Sequence, residues 1–203
     1  MEIYFDIETI PGQRAGLREE LAEDIKHPAT MSKPETIAKW EKEDKPAAVE
    51  EAYLKTSFDG CMGQIVCIGW AVRGNEPASL FPRDLRVISE ECLIAGFFER
   101  LESFHNTSGT RPILVGHNHI AFDIPFIWKR AIVHGIKPPI WFPRNPKPWA
   151  ESVVDTMLLW DSTNRPGKSM DKICRALGIP GKGDVSGADV WPMAQRGEFA
   201  QIA

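Results

Sequence analysis

The chain has 203 residues, of which 43% are hydrophobic, and its 24 basic and 28 acidic side chains give a formal net charge of −4. This length suits one domain with a sizeable core and is short for two. The negative charge excludes a generally basic nucleic-acid coat, so any contact with phosphates would need local basic patches or bound cations.

The cysteines and the hydropathy pattern bear on the cellular compartment. The four cysteines show no CxxC spacing and lie in or beside apolar runs, at Cys61, Cys67, Cys92 and Cys174. This favours buried, reduced thiols over disulfides or zinc ligands. No run approaches the roughly 18 apolar residues of a membrane span, and the N-terminus lacks the regions of a signal peptide. We therefore expect a cytoplasmic protein with no membrane contact.

The first part of the chain predicts a strand followed by helices. Residues 2–7 are apolar and β-branched or aromatic, and Pro11-Gly12 follows soon after, as expected of a buried strand that ends in a turn. In residues 14–58 charged residues dominate, and apolar residues recur at helical spacing. We predict that this segment is a helical insertion after the first strand.

The remaining segments alternate between strands and helices. Gln64 to Val72 has a strand pattern, and residues 77–81 form its hairpin partner. An amphipathic helix with Ser89 as its N-cap follows. We then expect a strand at 111–115, a helix at 121–134 and an ordered loop at 136–150. The last predicted elements are a strand at 152–154, a short helix through Trp160 and a helix at 170–177. This order favours a single α/β domain over residues 1–203, with a mixed β-sheet flanked by helices.

Two acidic residues are the first candidates for a functional site. Asp6 and Glu8 lie at the end of the first predicted strand, and residues i and i+2 of a strand point to the same side. Two carboxylates held close together repel each other unless a cation lies between them. The pair is therefore either a metal site or an exposed strand end, and the local pattern does not choose between them.

A second candidate follows a later strand, in the sequence GHNHIAFD that ends at Asp123. Considered alone, Asp123 or Asn118 could cap a helix, and Phe122 could belong to the core. The combination is more informative. FDIET on a first strand, followed by N-x-x-x-F-D at the start of a later helix, resembles the first two motifs of the DEDD exonucleases of the ribonuclease H-like superfamily.

The resemblance is closest to the bacterial group related to the exonuclease domain of family B DNA polymerases. It covers most of the chain, in the stretches SFDGCMGQIVCIGWA, GHNHIAFDIPFI, DTMLLW and LGIPGKGDVSGADVW. It implies a ribonuclease H-like fold and a 3′→5′ exonuclease that acts on the 3′ end of single-stranded nucleic acid, with DNA favoured over RNA. It also implies that two divalent cations, Mg²⁺ or Mn²⁺, are bound by the catalytic residues Asp6, Glu8 and Asp123. The terminal nucleotide would be lined by Thr9, Ile10, Asn118 and Phe122.

The chemistry explains why such a site needs several carboxylates. The transition state adds charge to an anionic centre, and two cations about 3.8 Å apart can activate a water and stabilise the leaving oxygen. At an effective dielectric constant near 20 these cations repel each other by on the order of 17 kcal/mol, which nearby carboxylates must offset. We assign Asp6 as the bridging ligand, Glu8 to the water-activating cation and Asp123 to the leaving-group cation.

The family pattern includes a further motif near the C-terminus, a Tyr or His followed by an Asp, which this sequence lacks. From this we expect that the chain ends before that motif, that it binds metal weakly and has little or no nuclease activity, and that a C-terminally extended form is active. The alternative is that Asp155 or Asp189 replaces the absent ligand. Asp155 could equally be the N-cap of a helix.

Two basic clusters are candidates for holding a nucleic-acid strand. The first, between Asp123 and Glu151, contains no acid and consists of Trp128, Lys129, Arg130, Lys137, Trp141, Phe142, Arg144, Lys147 and Trp149. It could bind phosphates and stack on unpaired bases, or Trp128 could be a core residue. The second, which could also be a solvated helix face, consists of Arg165, Lys168, Lys172 and Arg175. Two other functions stay open: a non-catalytic nucleic-acid-binding module and a metal-dependent hydrolase of small nucleotides.

Overall fold

A computed structural model describes residues 1–83, 89–162, 167–181, 183 and 185–203. In these residues the strands form one sheet of order β3-β2-β1-β4-β5. Its strands are β1 (Glu2–Ile10), β2 (Gln64–Val72), β3 (Ala78–Leu80), β4 (Ile113–Gly116) and β5 (Val153–Asp155). Strand β1 is antiparallel to β2 and parallel to β4, which is parallel to β5. The carboxyl ends of β1, β4 and β5 therefore meet at one edge of the sheet.

Helices connect and cover these strands. Within the described ranges they are α1 (Leu17–Asp24), α2 (Pro34–Glu43), α3 (Lys45–Lys55), α4 (Glu90–Ser108), α5 (Asp123–Val133), α6 (Thr156–Asp161), α7 (Met170–Leu177), α8 (Gly187–Arg196) and α9 (Phe199–Ile202). A single 3-10 turn, Thr56–Phe58, follows α3. None of the helices described here is long and apolar enough to cross a bilayer.

The mixed sheet flanked by helices confirms the predicted fold class. Helices α1 to α3 lie in the segment 14–58, where a helical insertion is predicted. Strand β1 is longer than predicted and continues to Ile10, because its last residues pair with the start of β2, Ile10 with Gln64. Helix α8 is a further element that the sequence patterns above do not predict.

The main core lies on one face of the sheet. Ile3, Phe5 and Ile7 of β1 are buried in it, and it continues into α4 and α5 through Leu93, Ile94, Phe97, Leu101, Ile124, Phe126 and Ile127. Because strand side chains alternate, Tyr4, Asp6 and Glu8 point to the opposite face. Hydrophobic alternation in β1 thus places both acids on the side away from the main core.

A β-bulge gives the acid-bearing face a smaller core of its own. Glu8 pairs with Cys67 but Thr9 pairs with Ile65, so Val66 is an additional residue on β2. Such an insertion redirects side chains locally. Val66 and Ile10 are buried together with Val190 and Ala194 of α8 and Phe199 of α9. The bulge thereby provides the apolar contact that holds the last two helices near the acid pair.

A buried charge network joins the two core helices. Glu90 at the start of α4 is 4% exposed, and its carboxylate accepts hydrogen bonds from Arg130 Nε (2.9 Å) and Nη2 (2.6 Å) of α5. It also accepts from the Ile65 backbone N–H (2.7 Å) and lies 2.7 Å from His134 Nε2. These contacts connect α4 and α5 to the start of β2.

We predict that Arg130→Met lowers the free energy of unfolding by about 3–5 kcal/mol, because it leaves the buried Glu90 carboxylate without its principal partner. Urea denaturation measures the loss. Arg196→Met is the matched control, since Arg196 pairs with Glu198 at the surface, and it should leave the midpoint nearly unchanged. Equal effects of the two substitutions would contradict the assigned role of the buried network.

Candidate active site

Asp6 and Glu8 lie next to each other on the face of β1 that is turned away from the main core. Asp6 is exposed and Glu8 is half-buried. Both line a cavity of about 240 Å³, whose other walls come from β2 and the C-terminal part of the chain: Cys67, Gly69, Gly183, Val185, Ile202 and Ala203. Gly69 pairs with Asp6, and a Cβ atom there would meet nothing within 4 Å. The strand pairing thus leaves room above the acid pair.

Asp123, the first residue of α5, is held against the same strand by its side chain. Strand β4 pairs with β1 only from Glu2 to Tyr4. Further along β1, the N–H of Ile7 donates a hydrogen bond of 3.1 Å to Asp123 Oδ1. Ile7 is the residue between Asp6 and Glu8, so this bond fixes the third carboxylate beside the first two. Asp123 itself is only 1% exposed.

His119 fills the space behind Asp123. Its ring is completely buried and packs on Phe5, with 3.9 Å between ring centroids. Its Nδ1 lies 3.3 Å from Asp123 Oδ2, a contact without hydrogen-bond geometry. The ring fits because residue 116 is glycine: a Cβ there would lie 2.2 Å from His119 Nδ1. The glycine that opens GHNHIAFD is therefore a packing requirement of the site.

Asp155 fixes the loop that leads to Asp123. Its Oδ1 accepts hydrogen bonds from the backbone N–H groups of Asn118 and Met157, both at 3.0 Å, and its Oδ2 accepts from Ile120 N–H at 3.0 Å. Asp155 is 4% exposed and caps α6. The N-cap role considered from the sequence is thus confirmed, and the carboxylate is already occupied by backbone donors.

Asp189, the other alternative fourth ligand, is also a capping residue. Its Oδ2 accepts from the Ser186 hydroxyl (2.5 Å) and backbone N–H (2.9 Å) in a capping box at the start of α8. These hydrogen bonds, that of the hydroxyl first, hold the pKa of Asp189 below its usual value. Neither alternative residue is placed as a ligand beside Asp6 and Glu8.

We predict that Asp155→Ala lowers the free energy of unfolding by at least about 3 kcal/mol, because three backbone donors lose their acceptor. Asp155→Asn keeps one side-chain oxygen and should cost less. Urea denaturation, combined with Mn²⁺ titration, separates a structural role from a ligand role. If Asp155→Asn abolished Mn²⁺ binding without loss of stability, Asp155 would be a ligand instead.

Asn118 and Phe122, predicted to line a nucleotide site, flank the loop before α5. Asn118 has a φ of 62°, a left-handed conformation that asparagine tolerates, and its carbonyl accepts from the Phe122 N–H at 2.9 Å. Its Oδ1 is buried without a hydrogen-bond partner among the described residues. The half-buried Phe122 ring lies 5.5 Å from that of Phe126 and 6.5 Å from that of Phe58. The sequence patterns gave no reason to select Phe58.

Thr9 and Ile10 make contacts within the protein. Thr9 Oγ1 donates to the Ser57 carbonyl at 2.7 Å, which ties the end of the helical segment to β1. Ile10 is completely buried in the smaller core, so its side chain presents no surface to a ligand. A role at a nucleotide site stays a prediction for Thr9, and Ile10 is not included in the proposed site.

Most of the first basic-aromatic stretch lies away from the acids. Trp141 and Phe142 are buried, and Trp128 Nε1 donates to the Pro143 carbonyl at 2.7 Å, so the core alternative is confirmed for Trp128. The loop 136–150 runs from the far end of α5, about 16 Å long at 11 residues, to the start of β5. Arg144 of this loop lies over the Trp128 ring, 5.9 Å from its centroid and thus beside the middle of α5, and Lys129 lies on α5 itself. In the second basic cluster Lys168, Lys172 and Arg175 are exposed, and Arg165 lies outside the described residues.

The thiols differ from the prediction in their burial. All four cysteines are free, as predicted, but Cys61 and Cys92 are exposed because they lie on a turn and at a helix start. Cys67, which pairs with Glu8, is 3% exposed. Burial, followed by the charges of Glu8 and Asp6, raises the pKa of the Cys67 thiol from 9.0 to about 12. The thiol is therefore neutral at physiological pH.

This pKa predicts how stability depends on alkaline pH. The folded protein keeps the Cys67 proton up to about pH 12, whereas the unfolded chain loses it near pH 9.0. The stabilisation is therefore complete below pH 9 and is lost as the pH rises towards 12. Above pH 9 the unfolding free energy of the wild type should fall faster than that of Cys67→Ala, by up to about 1.4 kcal/mol per pH unit. Parallel curves in urea denaturation from pH 8 to 10.5 would contradict this.

The oxygen donors of the site suit a hard divalent cation. Carboxylates are preferred by Mg²⁺ and Mn²⁺, whereas zinc sites favour His and Cys. Asp6 and Glu8 fit such an ion, since they share one cavity. No group of three or more His, Cys, Asp or Glu side chains is arranged to hold a metal within the ranges that the structure describes. Asp123 lies beside this pair, but its Oδ1 accepts the hydrogen bond from the Ile7 N–H.

Known structures resemble this chain in fold. A family B DNA polymerase from the hyperthermophilic archaeon Pyrobaculum calidifontis is 14% identical, with a TM-score of 0.56 over 98% of this chain and 21% of that chain. A zinc-bound complex of E. coli ExoI with ssDNA is 12% identical, with a TM-score of 0.47 over 98% of this chain and 39% of that chain. This chain thus spans about a fifth of the polymerase. The polymerase match supports the ribonuclease H-like fold, and no curated protein matches this chain.

The family assignment comes from the sequence itself. Residues 53–203, most of the chain, match a family described as predicted 3′–5′ exonucleases related to the exonuclease domain of PolB. The matched region includes Asp123 and the whole GHNHIAFD loop, while Asp6 and Glu8 precede it in sequence and lie beside it in the fold. The protein belongs to this family of predicted 3′–5′ exonucleases related to the exonuclease domain of PolB.

Proposed function

We propose that this protein hydrolyses phosphodiester bonds at the 3′ end of single-stranded nucleic acid, with DNA favoured, and that it uses divalent cations bound at Asp6 and Glu8. The observation that carries the proposal is the arrangement of three carboxylates around Ile7. Two line one cavity, and the third accepts the N–H of the residue between them. Family membership supports the reaction and its direction.

The three acids have different surroundings, which suits different tasks. Exposed Asp6 and half-buried Glu8 would bind Mg²⁺ or Mn²⁺ directly, with Asp6 shared by two cations and Glu8 serving one of them. Buried Asp123 would serve the other cation from its position beside Ile7. Bound cations supply an activated water and stabilise the leaving oxygen. The protein contributes the fixed spacing of the carboxylates.

Residues of the loop before α5 would contact the terminal nucleotide. Asn118 and Phe122 both lie within a few residues of Asp123, on a loop whose backbone Asp155 holds through Asn118 and Ile120. Such a rigid loop keeps the scissile phosphate positioned relative to the acids, which is a large part of phosphoryl-transfer catalysis.

A second candidate function is a non-catalytic nucleic-acid-binding module with the same fold. The observation in its favour is that the described residues include no group of three possible metal ligands. This candidate predicts that single strands bind equally well with and without divalent cations, and that no product forms.

We predict that Asp6→Asn reduces cation-dependent cleavage at least about 100-fold, because it removes a carboxylate ligand. The substrate is a 5′-labelled single-stranded DNA 20-mer with Mg²⁺ or Mn²⁺, and the protein is in excess because a chain without the third motif is expected to cleave slowly. A ladder of products shortened from the 3′ end is the expected wild-type result. Mn²⁺ affinity, measured by electron paramagnetic resonance, should fall at least about 10-fold in the same variant.

Glu2→Gln provides the control for Asp6→Asn. Glu2 lies on the same strand and pairs with Ile113, and its carboxylate accepts a hydrogen bond from the Tyr4 hydroxyl. Its loss should alter neither cleavage nor Mn²⁺ affinity. Wild-type activity and Mn²⁺ affinity in Asp6→Asn would refute the proposed site, and cation-independent binding without cleavage would favour the binding module.

A further inference from the structure

A groove of about 1000 Å³ runs along α4, between this helix and the loop that follows α5. Its lining includes Phe98, Glu99 and Glu102 of α4 and residues 136–140 of the loop. Helix α4 packs on the main core through its other side. The acid pair lies on the face of the sheet turned away from that core, so the groove is separate from the acid site.

The loop that forms one wall of the groove presents an isoleucine to solvent. Ile140 is 100% exposed, although its neighbours in sequence, Pro139 and Trp141, are buried. The Phe142 N–H donates to the Pro139 carbonyl at 2.9 Å, and the Phe142 ring packs on that of Phe98, 5.3 Å away. Two consecutive prolines also restrict the backbone before Ile140. Ile140 therefore projects from an ordered, anchored loop at the edge of the groove.

Further apolar side chains are exposed directly before this loop. Ile132 and Val133, in the last turn of α5, are 64% and 56% exposed. The loop begins against the same helix end, because the Ile136 N–H donates to the Ala131 carbonyl at 2.8 Å. Single exposed apolar residues are ordinary, whereas several beside one groove indicate an interaction surface.

The two walls of the groove carry opposite charges. Glu99 and Glu102 are three residues apart on α4 and so lie on one side of the helix, whereas Lys137 belongs to the loop. Glu99 and Lys137 are exposed, and Glu102 is half-buried. A two-fold axis through the groove would place the loop of each copy on α4 of the other, and Lys137 would then face both acids. The surface is thus complementary to itself, as the interface of a symmetric dimer must be.

We propose that this groove is the interface of a homodimer, in which Ile140 of each copy enters the groove of the other and Lys137 pairs with Glu99 and Glu102. A stable interface buries roughly 800 Å² on each partner, so we expect the contact to extend to Ile132 and Val133. The dimer does not depend on the proposed function. Because α4 lies on the main-core face, the acid pair of each copy would point away from the interface.

Sedimentation equilibrium of the full chain measures the dimer, for which we expect a Kd in the micromolar range. Ile140→Asp should raise this Kd at least about 10-fold, because it moves a carboxylate into an apolar contact. Leu159→Asp is the matched control, since Leu159 is 74% exposed on α6, outside the groove, and it should leave the Kd unchanged. Circular dichroism verifies that both variants are folded.

Charge reversal tests the pairing itself. Lys137→Glu, and separately the double variant Glu99→Lys with Glu102→Lys, should each weaken self-association at least about 10-fold, because like charges then face each other. An equimolar mixture of the two variants should associate with nearly the wild-type Kd, since opposite charges meet again at both contacts. A misfolded variant could not produce this recovery.

Three results would overturn the proposed interface. The first is a wild type that remains monomeric at the highest concentration reached, and the second is equal Kd values for Ile140→Asp and Leu159→Asp. The third is a mixture of the charge-reversed variants that associates no more tightly than either variant alone.

Discussion

One hydrogen bond, from the Ile7 N–H to Asp123 Oδ1, joins the two halves of the acidic site. It forms beyond Tyr4, the last residue of β1 that pairs with β4. The Asp123 side chain there provides the Ile7 N–H with the acceptor that a paired strand would otherwise supply. Its geometry depends on the loop before α5, which Asp155 holds by two backbone hydrogen bonds, from Asn118 and Ile120. The buried His119 ring, accommodated by Gly116, closes the space behind it.

The opposite face of the sheet determines what surrounds Asp6 and Glu8. The alternation of β1 keeps them out of the main core, and the bulge at Val66 provides an apolar contact for α8 and α9 beside them. The neutral Cys67 thiol lies at the same place, and its raised pKa reflects burial together with the negative charge of the pair. Both carboxylates thus face one small cavity, whose other walls come from β2 and from the C-terminal part of the chain.

Local patterns predicted much of this fold, because they act over short distances. The bounds of β2 and α7 and the Ser89 cap agree with the sequence patterns. Helix α8, which contains Pro192, was not predicted, although the capping box of Ser186 and Asp189 is a usable signal. The Ile7–Asp123 bond spans 116 positions, and the Phe58 and Phe122 rings, 6.5 Å apart, are brought together only by the fold. Neither feature produces a periodic pattern of residues in the sequence.

Anomalous diffraction from crystals soaked in Mn²⁺ tests most directly whether a divalent cation binds between Asp6 and Glu8. We predict an anomalous peak within about 2.5 Å of carboxylate oxygens of both residues, and no peak at Asp155 or Asp189. A well-ordered site without such a peak, or a peak at Asp155 in its place, would contradict it.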